Sequence, residues 1–101
     1  MIHNIFSVYD NKAEAFLPPF VLPKHEMAIR TFADSINNPE TQLFLHPADY
    51  TLFTLGTFDD ELGKITYEKT SLHNGVELQR HAIENLVDDF KTQEQLKAVK
   101  S

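Results

Sequence analysis

Three consecutive acids, Asp59-Asp60-Glu61, close the most regularly patterned stretch of the chain, HPADYTLFTLGTFDDELGKI at 46–65. Clustered carboxylates suggest divalent-cation binding, or metal-assisted hydrolysis in a small hydrolase or nuclease. The pattern fits neither. An EF-hand loop places its ligands at alternate positions, with a glycine at the sixth and a glutamate at the twelfth, and DDELGKI lacks both the alternation and the length. Neighbouring residues at a strand end point to opposite sides, so Asp59 and Asp60 would not easily share an ion. The acids read instead as the solvated tip of a hairpin, where charge keeps a sheet edge in solution.

The other reactive residue types are no better arranged. His25-Glu26 begins like a zinc-protease helix, but the position four residues after His25, where a second histidine is required, is Ile29. His3, His25, His46, His73 and His81 show no i, i+3 or i, i+4 pairing. Ser7, Ser35, Ser71 and Ser101 have no nucleophile-elbow context, and Gly56, Gly63 and Gly75 are too far apart to form a phosphate loop. There are no cysteines, which excludes disulfides and thiolate metal sites and fits an intracellular protein. The expectation is a non-enzymatic protein with no catalytic residues, no metal and no cofactor.

Charge narrows the partners. With 15 acids against 9 Lys and Arg, the net charge of −6 disfavours a protein that holds nucleic acid mainly through phosphates. Protein contacts suit it better. The one partly basic neighbourhood is Lys12, Lys24, His25 and Arg30, diluted by Asp10, Glu14 and Glu26. Among the aromatics, Phe6, Tyr9, Phe53 and Tyr67 fall on strand-like segments and could form a stacking platform for unpaired bases. Strand aromatics facing apolar helices are more often core.

These residues must be positioned by one domain, since 101 residues with 42% apolar content suffice for a single core. No run of about 18 apolar residues suggests a membrane span, and MIHNIFSVYDNK has no secretory pattern. Residues 2–9 read as a strand followed by turn chemistry at Asp10-Asn11-Lys12. Pro18, Pro19 and Pro23 forbid a helix over 13–23 and leave an edge strand broken by prolines. Ala28, Ile29, Phe32, Ala33 and Ile36 have helical spacing, with Glu26 favourable near the start and Asn37-Asn38-Pro39 as the stop.

Residues 40–49 read as a connection with room for a helical turn, and Pro47 begins a tight turn. A hairpin follows, 50–58 and 64–70. Tyr50, Leu52 and Phe58 are expected on one face and Phe53 and Leu55 on the other, as in a central strand. Asn74-Gly75 fits either a hairpin turn or a helix N-cap boxed by Glu77. The helical spacing of Ala82, Ile83, Leu86, Val87 and Phe90 favours the cap, with a helix over about 76–91 and a frayed tail over about 92–101. The fold class is α+β: an antiparallel sheet of about four strands with two helices, in the order β-β-α-β-β-α.

At FSVYDNKAEAFLPPF (6–20), AIRTFADSINNPE (28–40) and HPADYTLFTLGTFDD (46–60), the chain resembles the small nonstructural protein of gokushoviruses, the protein-C-like family of the Microviridae. The resemblance covers roughly the first two thirds of the chain. It implies a bacteriophage protein made in the cytoplasm of the infected bacterial host and absent from the virion. It further implies action where replication turns to single-stranded DNA for packaging, with phage or host replication and packaging proteins as partners. It nominates no active site.

Two function classes follow. The first is a non-enzymatic accessory protein of single-stranded DNA replication and packaging, acting by protein contacts and weak DNA binding. Its candidate contacts are Lys12, Lys24, His25 and Arg30 for phosphate and Tyr9 and Phe16 for stacking. The second is an oligomeric adaptor or scaffold without nucleic-acid affinity, using the extended Pro-rich segment 17–23 to pair with a partner strand. A homo-oligomer is compatible with either; a membrane partner with neither.

Overall fold

The computed structural model describes residues 1–79. The chain opens with β1 (Ile2–Asp10), whose end is turned by Asp10: its Oδ1 accepts from the backbone N–H groups of Lys12 (3.0 Å) and Ala13 (3.2 Å). The Pro-rich segment then runs back along β1 as two short strands, β2 (Ala15–Phe16) and β3 (Phe20–Leu22), interrupted by Pro18 and Pro19. The buried Ser7 hydroxyl donates to the Leu17 carbonyl (2.5 Å) and pins this segment.

Helix α1 (His25–Ile36) follows, then a single turn α2 (Gln42–Leu45) and a 3-10 turn (Pro47–Asp49). Strands β4 (Tyr50–Asp59) and β5 (Lys64–Asn74) form the long hairpin, and α3 (Gly75–Leu78) begins directly after it. The sheet is antiparallel with order β2-β1-β4-β5, and β3 pairs with β1 beside β2. The α+β class holds, with five strands and three helices among the described residues where about four and two were expected for the chain. The prolines divide one expected edge strand in two, and the connection at 40–49 supplies the extra helical turn.

Asn74 caps rather than turns. Its side chain accepts from Val76 N–H (3.0 Å), and the Glu77 carboxylate accepts from the Asn74 N–H (3.3 Å), a reciprocal box. Asn37 at the end of α1 donates to both the Ala33 carbonyl (2.8 Å) and the Leu78 carbonyl (2.9 Å), tying α1 to α3. The helix expected over about 76–91 instead ends at Leu78: Gln79 has left helical geometry (φ −77°, ψ 64°) and its N–H closes the turn on the Val76 carbonyl (3.4 Å). Residues 80–101, with the expected tail, lie outside the described residues.

The core is one layer thick. Ala28, Phe32 and Ile36 of α1 pack on Phe6, Val8 and Leu52, with Phe20, Leu22, Tyr50, Leu72 and Leu78 around them. In an antiparallel sheet, directly opposed residues share a face, and the register assigns the rest. Ser7 opposes Phe53 and Tyr9 opposes Phe16, so these four lie on the opposite face.

One expectation about the faces fails. Ile5 opposes Gly56 while Phe6 opposes Thr54, so Leu55 is an extra residue in β4. This bulge reverses the alternation beyond it, and Phe58, opposite His3, lies with Phe53 rather than with Leu52. Gly56 permits the bulge: its φ is +142°, and a Cβ there would lie 1.9 Å from the Thr66 carbonyl oxygen of β5.

Gly56→Ala should therefore destabilise the domain by roughly 3 kcal/mol or more, from backbone strain plus a clash with a neighbouring main chain. Urea denaturation checks this; a loss below about 1 kcal/mol would show that the bulge relaxes easily.

Candidate nucleic-acid interface

Stacking requires aromatic faces that water can reach, so the exposure of each ring decides its use. Phe6 is fully buried in the core and is removed from the candidate platform. It stacks on Phe20 (centroids 5.7 Å) and receives the His25 ring edge-on at 5.5 Å. Tyr9, Phe16 and Phe53 instead meet on the opposite face. Tyr9 and Phe16 stack at 4.8 Å, and Phe53 meets Phe16 edge-on at 5.3 Å and Tyr9 at 6.4 Å. Phe16 is 41% exposed, and the other two are partly covered.

Why Phe16 and Phe20 part company is local. Four residues apart in a regular strand, they would share a face. Pro18 and Pro19 break the strand between them, so Phe16 registers with Tyr9 and Phe20 with Phe6.

Lys69 completes the cluster. Its ammonium lies 5.8 Å from the Phe16 centroid and 6.0 Å from that of Phe53, a cation–π arrangement worth about 0.5–1 kcal/mol at such an exposed site. Farther along the same face, His3 lies against Phe58 (6.2 Å), and Tyr67, opposite Gly56, is 72% exposed. Among the described residues, the core that the helices build lies wholly on the other side.

The six candidate contacts thus separate. Tyr9 and Phe16 are joined on the open face. Lys24, His25 and Arg30 belong to the helix layer: Lys24 precedes α1, His25 borders a cleft of about 230 Å³ with Asn4, Thr54 and Glu68, and Arg30 flanks Glu26 and Leu78. Lys12 lies past the end of β1, in a depression shared with Asp10, His46 and Asp49. Lys69 was not among the candidates, because the Lys and Arg residues are scattered along the chain and only the Lys12–Arg30 neighbourhood is locally basic. Its two-residue spacing from Tyr67 on the second hairpin strand was the available signal.

The acidic tip is a structural device. Asp59 Oδ1 accepts from the backbone N–H of Glu61 (2.9 Å) and Leu62 (3.2 Å), shaping the turn. Asp60 accepts from the amino group of Met1 (2.6 Å) and from His3 Nε2 (2.8 Å), fastening β1 to the hairpin end. Those bonds, the amino group's first and His3's second, hold the Asp60 carboxyl below its ordinary range. Glu77 is likewise lowered, first by its bond from His73. Among the described residues, no group of three or more His, Asp or Glu could hold a metal ion, and no helix is long and apolar enough to cross a membrane.

The family model described as Phage ORF5 protein matches residues 3–78, so the chain belongs to this family of phage proteins. No curated protein and no solved structure matches it.

Because the folded Asp60 carboxyl titrates lower than an unfolded one, its contribution is complete above about pH 4 and is lost as pH falls through the lower folded value. The exchange protection of the His3 amide, measured against its intrinsic rate at each pH, should fall over that acid interval, and Asp60→Asn should lower it already at neutral pH. Equal protection in the variant at neutral pH would show that the clasp does not hold the strand end.

Proposed function

We propose that this member of the Phage ORF5 family is a non-enzymatic accessory protein of single-stranded DNA phage replication and packaging. It works in the cytoplasm of the infected bacterium, with phage or host replication proteins, and touches unpaired DNA bases weakly through the open sheet face. The carrying observation is the Tyr9–Phe16–Phe53 cluster, accessible to solvent and overlaid by Lys69. Base–aromatic stacking is worth about 1–3 kcal/mol per base and tolerates any sequence, because every base has a π-face.

The charge balance sets how such a face binds. At −6 overall, the chain gains little from phosphates at long range, so stacking supplies most of the affinity and binding is weak. Duplex DNA keeps its bases stacked and has no free face to offer. The setting on a single-stranded genome is supported by the resemblance of 6–20, 28–40 and 46–60 to the gokushovirus nonstructural protein, all within the matched residues 3–78.

Fluorescence anisotropy of a labelled single-stranded oligonucleotide, with a duplex control, tests this reading. Binding should favour the single strand, weaken roughly tenfold in Phe53→Ala, and change little in Lys24→Glu/Arg30→Glu. Lys69→Ala should flatten the salt dependence by about 0.7 log unit per log unit of salt, the loss of one phosphate contact. No binding at low salt would instead favour the adaptor without nucleic-acid affinity.

A further inference from the structure

The two edges of the sheet are built differently. The β2/β3 edge consists of strands of two and three residues parted by Pro18 and Pro19, which blunts it against pairing. The Pro-rich segment is also already hydrogen-bonded to β1 through both strands. At the other edge, β5 runs for eleven residues and, among the described residues, pairs only with β4. Positions 64–71 are all exposed, including Ile65 at 67% and Tyr67 at 72%. A long edge with two large apolar side chains in water invites another strand.

The order of residues points to which strand. Lys64, Thr66 and Glu68 lie on the helix side of the sheet, and Ile65 and Tyr67 on the open side. When two copies of β5 run antiparallel about a two-fold axis through Thr66, Ile65 of each copy opposes Tyr67 of the other. Lys64 of each copy then opposes Glu68 of the other. A β-branched–aromatic pair and an opposite-charge pair are both favourable across an antiparallel ladder, and the symmetry makes each of them twice. Charges placed only to repel other strands would meet like with like in this register; here they meet as opposites.

We infer that the edge of β5 left unpaired among the described residues is a self-association surface, on which a second copy of this chain adds its own β5 in antiparallel register about Thr66. The axis stands perpendicular to the sheet, so the open faces of both copies look the same way. The Tyr9–Phe16–Phe53 clusters of the pair then line one continuous surface. The inference stands on the β5 edge alone and is independent of DNA binding.

The chain has no cysteine, so Thr66→Cys introduces a single thiol. Opposed residues in an antiparallel pair have Cα atoms about 4.5–5.5 Å apart, within reach of a disulfide. In the same register, Thr70 of the two copies would be about 27 Å apart. Thr66→Cys with oxidised glutathione should therefore give a covalent dimer on a non-reducing gel, and Thr70→Cys should not. Adding Glu68→Lys should slow the cross-linking about tenfold by turning both charge pairs repulsive. Adding Lys64→Glu as well should restore it.

Equal cross-linking at 66 and 70, or a rate indifferent to Glu68→Lys, would overturn the register. Sedimentation of the unaltered chain gives an answer that needs no variant to fold. A dimer at about 100 µM is expected, and a monomer at that concentration would overturn the inference itself. No DNA is present in either experiment, so failure here leaves the proposed function standing, and failure of that reading leaves this one.

Discussion

Pleat parity under a one-sided helix layer is the constraint on which this structure depends. The helices of the described domain build their core on one face of the sheet, so every strand residue is committed by alternation either to that core or to the opposite face. The commitment is costly to reverse. Burying a phenylalanine fully is worth about 1.5–3 kcal/mol relative to leaving it in water, and a one-residue slip would exchange the whole buried set for the exposed one. Two of the parity changes, at the Pro18-Pro19 break and the Leu55 bulge, send an aromatic to the open face. One frees Phe16 to meet Tyr9, and the other aligns Phe58 with Phe53.

These irregularities explain how a small domain can hold two kinds of aromatic. Phe6, Phe20 and Phe32 belong with the packed layer, where ring contacts and apolar burial stabilise the fold. Tyr9, Phe16 and Phe53 contribute some contact energy to one another but keep surface toward solvent. The acids at 59–61 belong to neither group. They shape the hairpin turn and clasp the start of β1, which accounts for their clustering by structure alone.

Much of this was legible in the sequence, and the lapses have physical causes. Helix α1 was readable because its apolar spacing is undisturbed from Ala28 to Ile36 and Asn37-Asn38-Pro39 cannot continue it. The capping role of Asn74 was one of two readings, since Asn-Gly fits a hairpin turn as well as a cap boxed by Glu77, and only the helical spacing from Ala82 to Phe90 favoured the cap. The side on which Phe58 falls was not, because alternation carries no trace of an inserted residue until the partner strand fixes the register. The same gap hid the difference between Phe6 and Tyr9, two strand aromatics of which one is fully buried and the other joins the open cluster. Lys69 went unnoticed because a cation above two rings is a property of three segments, none of which announces it alone. The phosphate candidates followed local charge, and the fold placed Lys24, His25 and Arg30 with the helix layer.

The central claim is that the sheet face opposite the helices is the working surface. An aromatic carbon–proton NMR titration with a short single-stranded oligonucleotide tests it most directly, because each ring reports its own environment. The account predicts shifts concentrated at Tyr9, Phe16 and Phe53, with Phe6 and Phe32 unchanged. Shifts centred on His25 and the residues of α1, with the open-face rings silent, would contradict it.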